Sequence, residues 1–177
     1  MSQNVFVTPE GRLIWLAAFN ARANPNYPEQ KPRYQATAVF PRDADLSELQ
    51  RGIDEVVRAK YPKGTPPGFR SCFKSWDEKY PGDPTFAGST LISCWSETQP
   101  GVVGPDNEPI EAVSGDLYNG CRGRLAVNPY AYTKGSGGVN LGLLHVQKTG
   151  DDEAFGGVVR VSPQQVFGGP TAASSLL

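Results

Sequence analysis

The chain has 177 residues and a formal net charge of -1, so no overall charge draws it toward acidic or basic partners. Its length favours one domain, and its 20 glycines and 16 prolines favour a loop-rich β protein over a helical bundle. No window holds the roughly 20 apolar residues that span a bilayer, so no membrane contact is expected. The three widely spaced cysteines predict neither a disulfide framework nor a metal site and are typical of a reducing cytoplasm.

The first half of the chain predicts two strands and one helix. The apolar run at 12–19 indicates a buried strand, and the alternation of apolar and polar residues at 33–40 indicates a second strand. Apolar residues then recur at helical spacing behind a pattern that resembles a capping box, which predicts a helix at about 45–61.

The second half predicts long loops and three further strands. Residues 62–86 contain five prolines and no regular pattern, which indicates a long loop that is functional or mobile. Strands are predicted at 88–95, 120–132 and 139–148. Pro129 lies inside the fourth strand and predicts a bulge or an edge position there.

These elements predict a mainly β fold. Five strands with one interposed helix match a five-stranded OB-fold Greek-key barrel with long loops. We expect a single domain at 1–160. The Gly-, Ser-, Ala- and Pro-rich stretch at 161–177 predicts a flexible C-terminal tail.

The segment from Leu117 to Gly150 contains no Asp or Glu, although the whole chain is slightly acidic. It places cations and tyrosines on two predicted strands and on the glycine-rich turn between them. Positive charge for phosphates and flat rings for base stacking are what single-stranded nucleic acid requires of a protein. The segment therefore predicts a DNA-binding surface that includes Tyr118, Arg122, Arg124, Tyr130, Tyr132, Lys134 and Lys148.

The spacing of these residues predicts which side chains project together. Arg122 and Arg124 are two apart on a strand and share a face, and few acidic residues lie nearby in sequence to pair with them. Tyr130 and Tyr132 also share a face. They are either core residues whose hydroxyls need partners or stacking platforms for bases.

The long loop interleaves rings and cations from Phe69 to Trp76. We predict that Arg70, Lys74 and Trp76 close over a DNA strand as a flap. The alternative is that this stretch anchors the loop to the barrel.

Several short motifs follow one another in a fixed order. They are Trp76-Asp-Glu-Lys79, Phe86-Ala-Gly88, Pro100-Gly-Val-Val103, Tyr118-Asn-Gly-Cys121, Gly123-Arg124, Asn128-Pro-Tyr-Ala-Tyr132, Gly142-Leu143, Val146-Gln-Lys148 and Gly156-Gly157. Over roughly residues 10 to 157 this order resembles a family of bacteriophage single-stranded-DNA-binding proteins with an OB fold. In that family Arg124 matches the motif, whereas Arg122 stands where an aromatic residue is commoner, which favours a phosphate contact for Arg122.

The resemblance implies a protein that coats and protects single-stranded DNA, without sequence preference and without catalysis, during phage DNA replication or recombination. The implied partners are single-stranded DNA and phage or host replication proteins, in the cytoplasm of the host cell, with no cofactor. A homodimer stays open. Proteins of this functional class often end in an acidic tail, but no acidic residue follows Glu153, so the site of partner contact stays open as well.

Two other classes of function stay open. A DNA-processing nuclease would need a metal-binding acidic cluster, for which Asp77, Glu78 and Asp151 are the candidates. A phage structural or assembly protein would have no exposed groove of cations and rings. The lone histidine, His145, lies within a predicted strand and has no second histidine to form a zinc site or a catalytic triad.

Overall fold

The computed structural model describes residues 4–156, so the predicted domain limit at residue 160 and the predicted tail at 161–177 lie outside the described residues. The strands are β1 (Phe6–Val7), β2 (Gly11–Arg22), β3 (Arg33–Phe40), β4 (Lys74–Ser75), β5 (Thr90–Ser96), β6 (Gly101–Val103), β7 (Arg122–Tyr132) and β8 (Gly138–Gly150). The helices are α1 (Ser47–Lys60) and α2 (Trp76–Lys79), with a short 3-10 turn at Ala112–Ser114. No helix within 4–156 is long and apolar enough to cross a membrane.

The five long strands close into a barrel. Their order is β2-β3-β5-β8-β7, and β7 pairs again with β2. Neighbouring strands are antiparallel except β5 and β8, which run parallel. This is the Greek-key arrangement of an OB fold, so the predicted fold class is confirmed. The short strands β1 and β6 extend the sheet beyond the barrel, and β4 pairs with β5.

The five predicted strands and the predicted helix all occur, with ends that differ by a few residues. The prediction that 62–86 has no regular structure is wrong, because β4 and α2 form there. Pro129 pairs opposite Leu141, in a part of β7 that pairs with β8 alone among the described strands. It therefore occupies an edge position, and the nearest break in register lies between Ala126 and Val127.

One face of each barrel strand fills the interior. Alternate residues of β7 are buried, from Gly123 through Leu125 and Val127, as expected for a strand with one face inside. Helix α1 covers this core with Leu49 and Ile53. The buried core of the barrel is thus largely apolar, although Lys148 of β8 is buried as well.

A second, smaller core lies on the outer face of the barrel. Trp76 is completely buried there against Ile14, Val39 and Leu91, and its indole N–H donates to the carbonyl of Asp83 at 3.0 Å. The prediction that Trp76 forms part of an exposed flap is therefore wrong. The ring instead anchors the 62–86 loop to the barrel, which was the alternative interpretation.

The turn before β7 depends on a glycine. Gly120 has φ of +107°, a backbone conformation that side chains disfavour, and its N–H donates to Leu13 O at 2.7 Å. A Cβ at this position would also overlap the backbone of Glu153 and Phe155. The glycine therefore lets three chain segments pack at one point.

We expect Gly120→Ala to lower the free energy of unfolding by about 3 kcal/mol or more, because a strained backbone and a backbone overlap are combined. The matched control is Gly64→Ala, since Gly64 has φ of +102° but open space around it. The control should lose only about 1–2 kcal/mol. Urea denaturation of the two variants measures the difference, and equal losses would contradict the role of the overlap.

Candidate nucleic-acid interface

Two aromatic rings meet on the outer face of the barrel. Trp95 on β5 pairs with Gly142 on β8. Tyr130 on β7 pairs with Asn140, which is two residues from Gly142 on the same strand. The Trp95 and Tyr130 ring centroids are 6.2 Å apart, edge to face. Gly142 lies between them in the sheet, and a Cβ there would overlap the Asn128 amide. Burial raises the pKa of the Tyr130 hydroxyl above its usual value.

A cationic patch borders this aromatic pair. The guanidinium of Arg33 lies 3.8 Å from the centre of the Trp95 ring, and its buried Nε has no hydrogen-bond partner within residues 4–156. Arg22 stands directly opposite Arg33 in the pairing of β2 with β3. Like charges placed opposite each other are unfavourable unless an anion joins them. Together with Lys31 these residues line a cavity of about 280 Å³, which suits a phosphate beside a stacked base.

The two loops that border the oligonucleotide sites of OB folds are both present, and the first of them lines the cavity of the patch. One is the β2–β3 loop at 23–32, and the other is the β7–β8 turn at 133–137. The exposed Lys134 lies on this turn. The backbone of Arg70 is tied to the same turn, since the Arg70 N–H donates to Gly137 O at 3.1 Å. Arg70 and Lys134 therefore lie at one end of the barrel.

Tyr132 lies at the start of the same turn. Its ring is half-buried, and its carbonyl accepts a hydrogen bond from the Tyr61 hydroxyl at 2.8 Å. Lys74 is exposed but lies on β4, opposite Leu91. Because Leu91 is four residues from Trp95 on β5, Lys74 lies roughly 13 Å along the strand from the aromatic pair.

The remaining predicted residues lie at the other end of the β7–β8 hairpin. Arg122 and Arg124 alternate with buried residues and share the outer face of β7, as predicted from their spacing, and Tyr130 follows the same alternation. Eight residues of strand separate Arg122 from Tyr130, however, which is roughly 26 Å. The structure therefore divides the predicted surface into two groups, with Tyr118, Arg122 and Lys148 in the group far from Trp95.

Carboxylates neutralise the cations of this distant group. Arg122 Nε lies 2.7 Å from Asp152 and its NH1 lies 3.4 Å from Glu10, while Lys148 Nζ lies 2.7 Å from Asp151. The expectation that Arg122 has few internal partners is therefore wrong. The partners come from the start of β2 and from the segment after β8, which the fold brings beside β7.

Tyr118 completes this network. Its hydroxyl donates to Asp151 at 2.9 Å, its ring lies 5.1 Å from Lys148 Nζ, and burial raises its pKa. Lys148 is itself buried. Contact of Tyr118, Arg122 and Lys148 with DNA stays a prediction, and it would require release of these internal partners.

Arg124 lies between the two groups. Its side chain is exposed, and its Nε donates to Gln147 Oε1 at 2.6 Å. It borders a shallow, mostly apolar groove with Val7 and His145 on the outer face of the sheet. Its predicted DNA contact is untested by this geometry.

The acidic residues of the nuclease alternative have other partners. Asp77 accepts a hydrogen bond from the Gly88 N–H at 3.0 Å, and Asp151 pairs with Lys148. Across residues 4–156, no three His, Cys, Asp or Glu side chains are grouped so as to hold a metal ion. The acids instead serve the loops and the ion-pair network.

Sequence reasoning missed Trp95 and Arg33 as candidate site residues. A signal was present, because Trp95 alternates with the buried Ile92 and Cys94 and therefore faces outward. Arg33 likewise alternates with the buried Ala36. Their contact, however, depends on strand pairing that no local pattern shows.

We expect the ion-pair network to make stability depend on acidity. Lys148 and then Tyr118 lower the pKa of Asp151, and the Glu153 N–H and then Arg122 lower that of Asp152. A carboxyl whose pKa is lowered by folding stabilises the fold above its unfolded value near 3.8, and this stabilisation is lost as the pH falls through the lower folded value.

Thermal melting between about pH 3 and pH 6 measures this dependence. Asp152→Asn should melt at a lower temperature at pH 6 and show a shallower loss of stability on acidification than the wild type. The control is Asp116→Asn, whose carboxyl makes no ion pair within the described residues. A wild-type profile in Asp152→Asn would refute the assigned role of the network.

Comparison with known proteins adds to this geometry. The family described as Enterobacter phage Enc34, ssDNA-binding protein, matches residues 4–175. The structure of the single-stranded DNA-binding protein from bacteriophage Enc34 in complex with ssDNA has a TM-score of 0.71 and 23% identity, over 86% of this chain and 89% of that chain. The structure of gp2.5, a single-stranded DNA binding protein encoded by bacteriophage T7, has a TM-score of 0.56 and 17% identity, over 92% of this chain and 100% of that chain.

At these identities the structural likeness establishes the fold alone. No match is found among curated protein sequences. The family match, in contrast, spans almost the whole sequence. The chain therefore belongs to the family of the single-stranded-DNA-binding protein of Enterobacter phage Enc34.

Proposed function

We propose that this protein binds single-stranded DNA without sequence preference, and that it coats and protects the strand during phage DNA replication or recombination. The observation that carries the proposal is the cluster of Arg33, Trp95 and Tyr130 on the outer face of the barrel, with Arg33 over the Trp95 ring and Tyr130 edge to face with it. It supplies a cation and two rings at the place where OB folds bind oligonucleotides.

Stacking and charge act together at this surface. A base stacked on Trp95 gains on the order of 1–3 kcal/mol, and this gain depends little on which base it is. Arg33 and Arg22 then hold the adjacent phosphate, which relieves the repulsion between them. Lys31 on one loop and Lys134 on the other extend the positive charge along the strand.

Membership of the family supports the proposal, since that family is described as an ssDNA-binding protein of Enterobacter phage Enc34. One structure with the same fold is described as a complex with ssDNA. We propose that the protein acts by binding alone, in the cytoplasm of the host cell. Its three cysteines are free, buried thiols, which agrees with a reducing compartment.

The first test removes the stacking platform. Trp95→Ala should weaken binding to labelled oligo-dT and to a mixed-sequence oligonucleotide alike, by on the order of 1–3 kcal/mol, because stacking is independent of base identity. Fluorescence anisotropy measures both affinities, and Trp95→Phe should retain most of the binding. Unchanged affinity in Trp95→Ala would refute the assignment of the surface. Cleavage of the oligonucleotide in the presence of magnesium would favour the nuclease alternative.

The second test compares the two cationic groups. The logarithm of the binding constant should fall linearly with the logarithm of the salt concentration. Arg33→Gln should make this slope shallower by about 0.7, the value for one phosphate contact on a single strand. Arg122→Gln should keep the wild-type slope, because Asp152 and Glu10 already neutralise Arg122. A larger change in Arg122→Gln than in Arg33→Gln would place the DNA on the distant group instead.

A further inference from the structure

Trp15 has a backbone conformation that is unusual for a bulky residue. Its φ is +50°, in the left-handed region, inside strand β2. The strand bulges at this point. From Ile14 to Ala17 it advances by three residues, while the paired strand β3 advances by two, so β2 holds one extra residue. Bulky residues rarely adopt such a conformation, and where they do it costs about 1–3 kcal/mol that the surrounding structure must offset.

The bulge directs the indole of Trp15 into an aromatic pocket outside the barrel. Its N–H donates to the Tyr80 hydroxyl at 3.2 Å, and its ring meets that of Phe155 at 5.3 Å. Tyr80 and Phe86 also line the pocket, and both pack against Trp76, which is fully buried behind them. The open cavity between these residues has a volume of about 630 Å³, which lies in the range of small-ligand sites. The half-buried Trp15 is therefore available as one wall of a binding site.

Gln35 lies between the pocket and the surface that holds Trp95. Gln35 pairs with Trp95 on one side of β3 and with Ala17 on the other, and its side-chain amide donates to Trp15 O at 3.0 Å. Two strand spacings of about 4.8 Å separate the β2 and β5 backbones at this level, or about 10 Å. A strand that stacks on Trp95 can thus reach the Trp15 pocket by crossing Gln35.

We propose that the Trp15 pocket is a second stacking site, which takes a nucleobase from the single strand that also occupies the Trp95 surface. This inference rests on the proposed function. Five aromatic rings line the pocket, and such rings can stack with a base. Arg12 lines it as well, but its guanidinium is already held by the carbonyls of Gly120 and Glu153 and by the Asp152 carboxylate, which disfavours a phosphate there. A base therefore fits the pocket, and the phosphates follow the cations beside Trp95.

The experiment uses oligo-dT of about 4 and about 16 nucleotides, the limits of OB-fold site sizes. Trp15→Ala should bind the short oligonucleotide within about twofold of the wild type and bind the long one on the order of 5- to 150-fold more weakly, the equivalent of one stacked base. Loss of the short and long affinities alike, or of neither, in a variant that circular dichroism shows to be folded would overturn the second site.

Fluorescence in proteins that keep Trp15 gives an independent reading. In Trp95→Phe the remaining tryptophans are Trp15 and the buried Trp76. Saturating long oligo-dT should quench this variant, while the double variant Trp15→Phe/Trp95→Phe, which keeps Trp76 alone, should show little change. Equal signals from the two proteins would overturn the proposal, even if Trp15→Ala fails to fold.

These results separate the two proposals. Wild-type protein that binds neither oligonucleotide refutes the proposed function as a whole. Binding that depends on Trp95 but not on Trp15, at both lengths, refutes the second stacking site alone.

Discussion

The parallel pairing of β5 with β8 is the constraint on which the candidate site depends. It closes the barrel, and it places Trp95 beside Gly142. Because β8 also pairs with β7, closure brings Tyr130 to the far side of the same glycine. A side chain at position 142 would overlap Asn128, so the glycine leaves the sheet surface between the two rings free of a side chain. The strand pairings that close the barrel thus also bring the two aromatic rings together.

Features that depend on residues close together in sequence could be predicted, whereas contacts between distant residues could not. Five strands and α1 were predicted because their periodicity depends on neighbours in sequence. Strands β1, β4 and β6 were not, since two or three residues carry no period. Tyr130 and Lys134 were predicted as candidates from composition, but Arg33 and Trp95 were not, because their contact needs the pairing of β3 with β5. The pairing of Arg122 with Glu10 spans the chain and has no local signal.

Ion pairing in the fold, rather than the number of basic residues in a segment, decides which cations are left without a neutralising acid. The acid-free segment at 117–150 looks strongly basic, yet Arg122 and Lys148 are neutralised by acids from outside it. Exposed ion pairs each add little stability. Here several share Asp151 and Asp152, and together they fix the chain that leaves β8. Arg22 and Arg33 stand opposite each other in the sheet and make no ion pair within residues 4–156, so their charges are not neutralised in the same way.

The outer face of the barrel is divided along its length. At the level of Val39 and Leu91, Trp76 covers an apolar patch and excludes solvent. At the level of Gln35 and Trp95 the same strands carry polar side chains beside the partly exposed Trp95 ring. The bulge at Trp15 lies on the boundary between these two regions, where a strand ladder would otherwise continue. The strained Trp15 therefore lies between the small core around Trp76 and the polar region around Trp95. The aromatic rings of the core stabilise the fold, whereas Trp95 remains partly exposed.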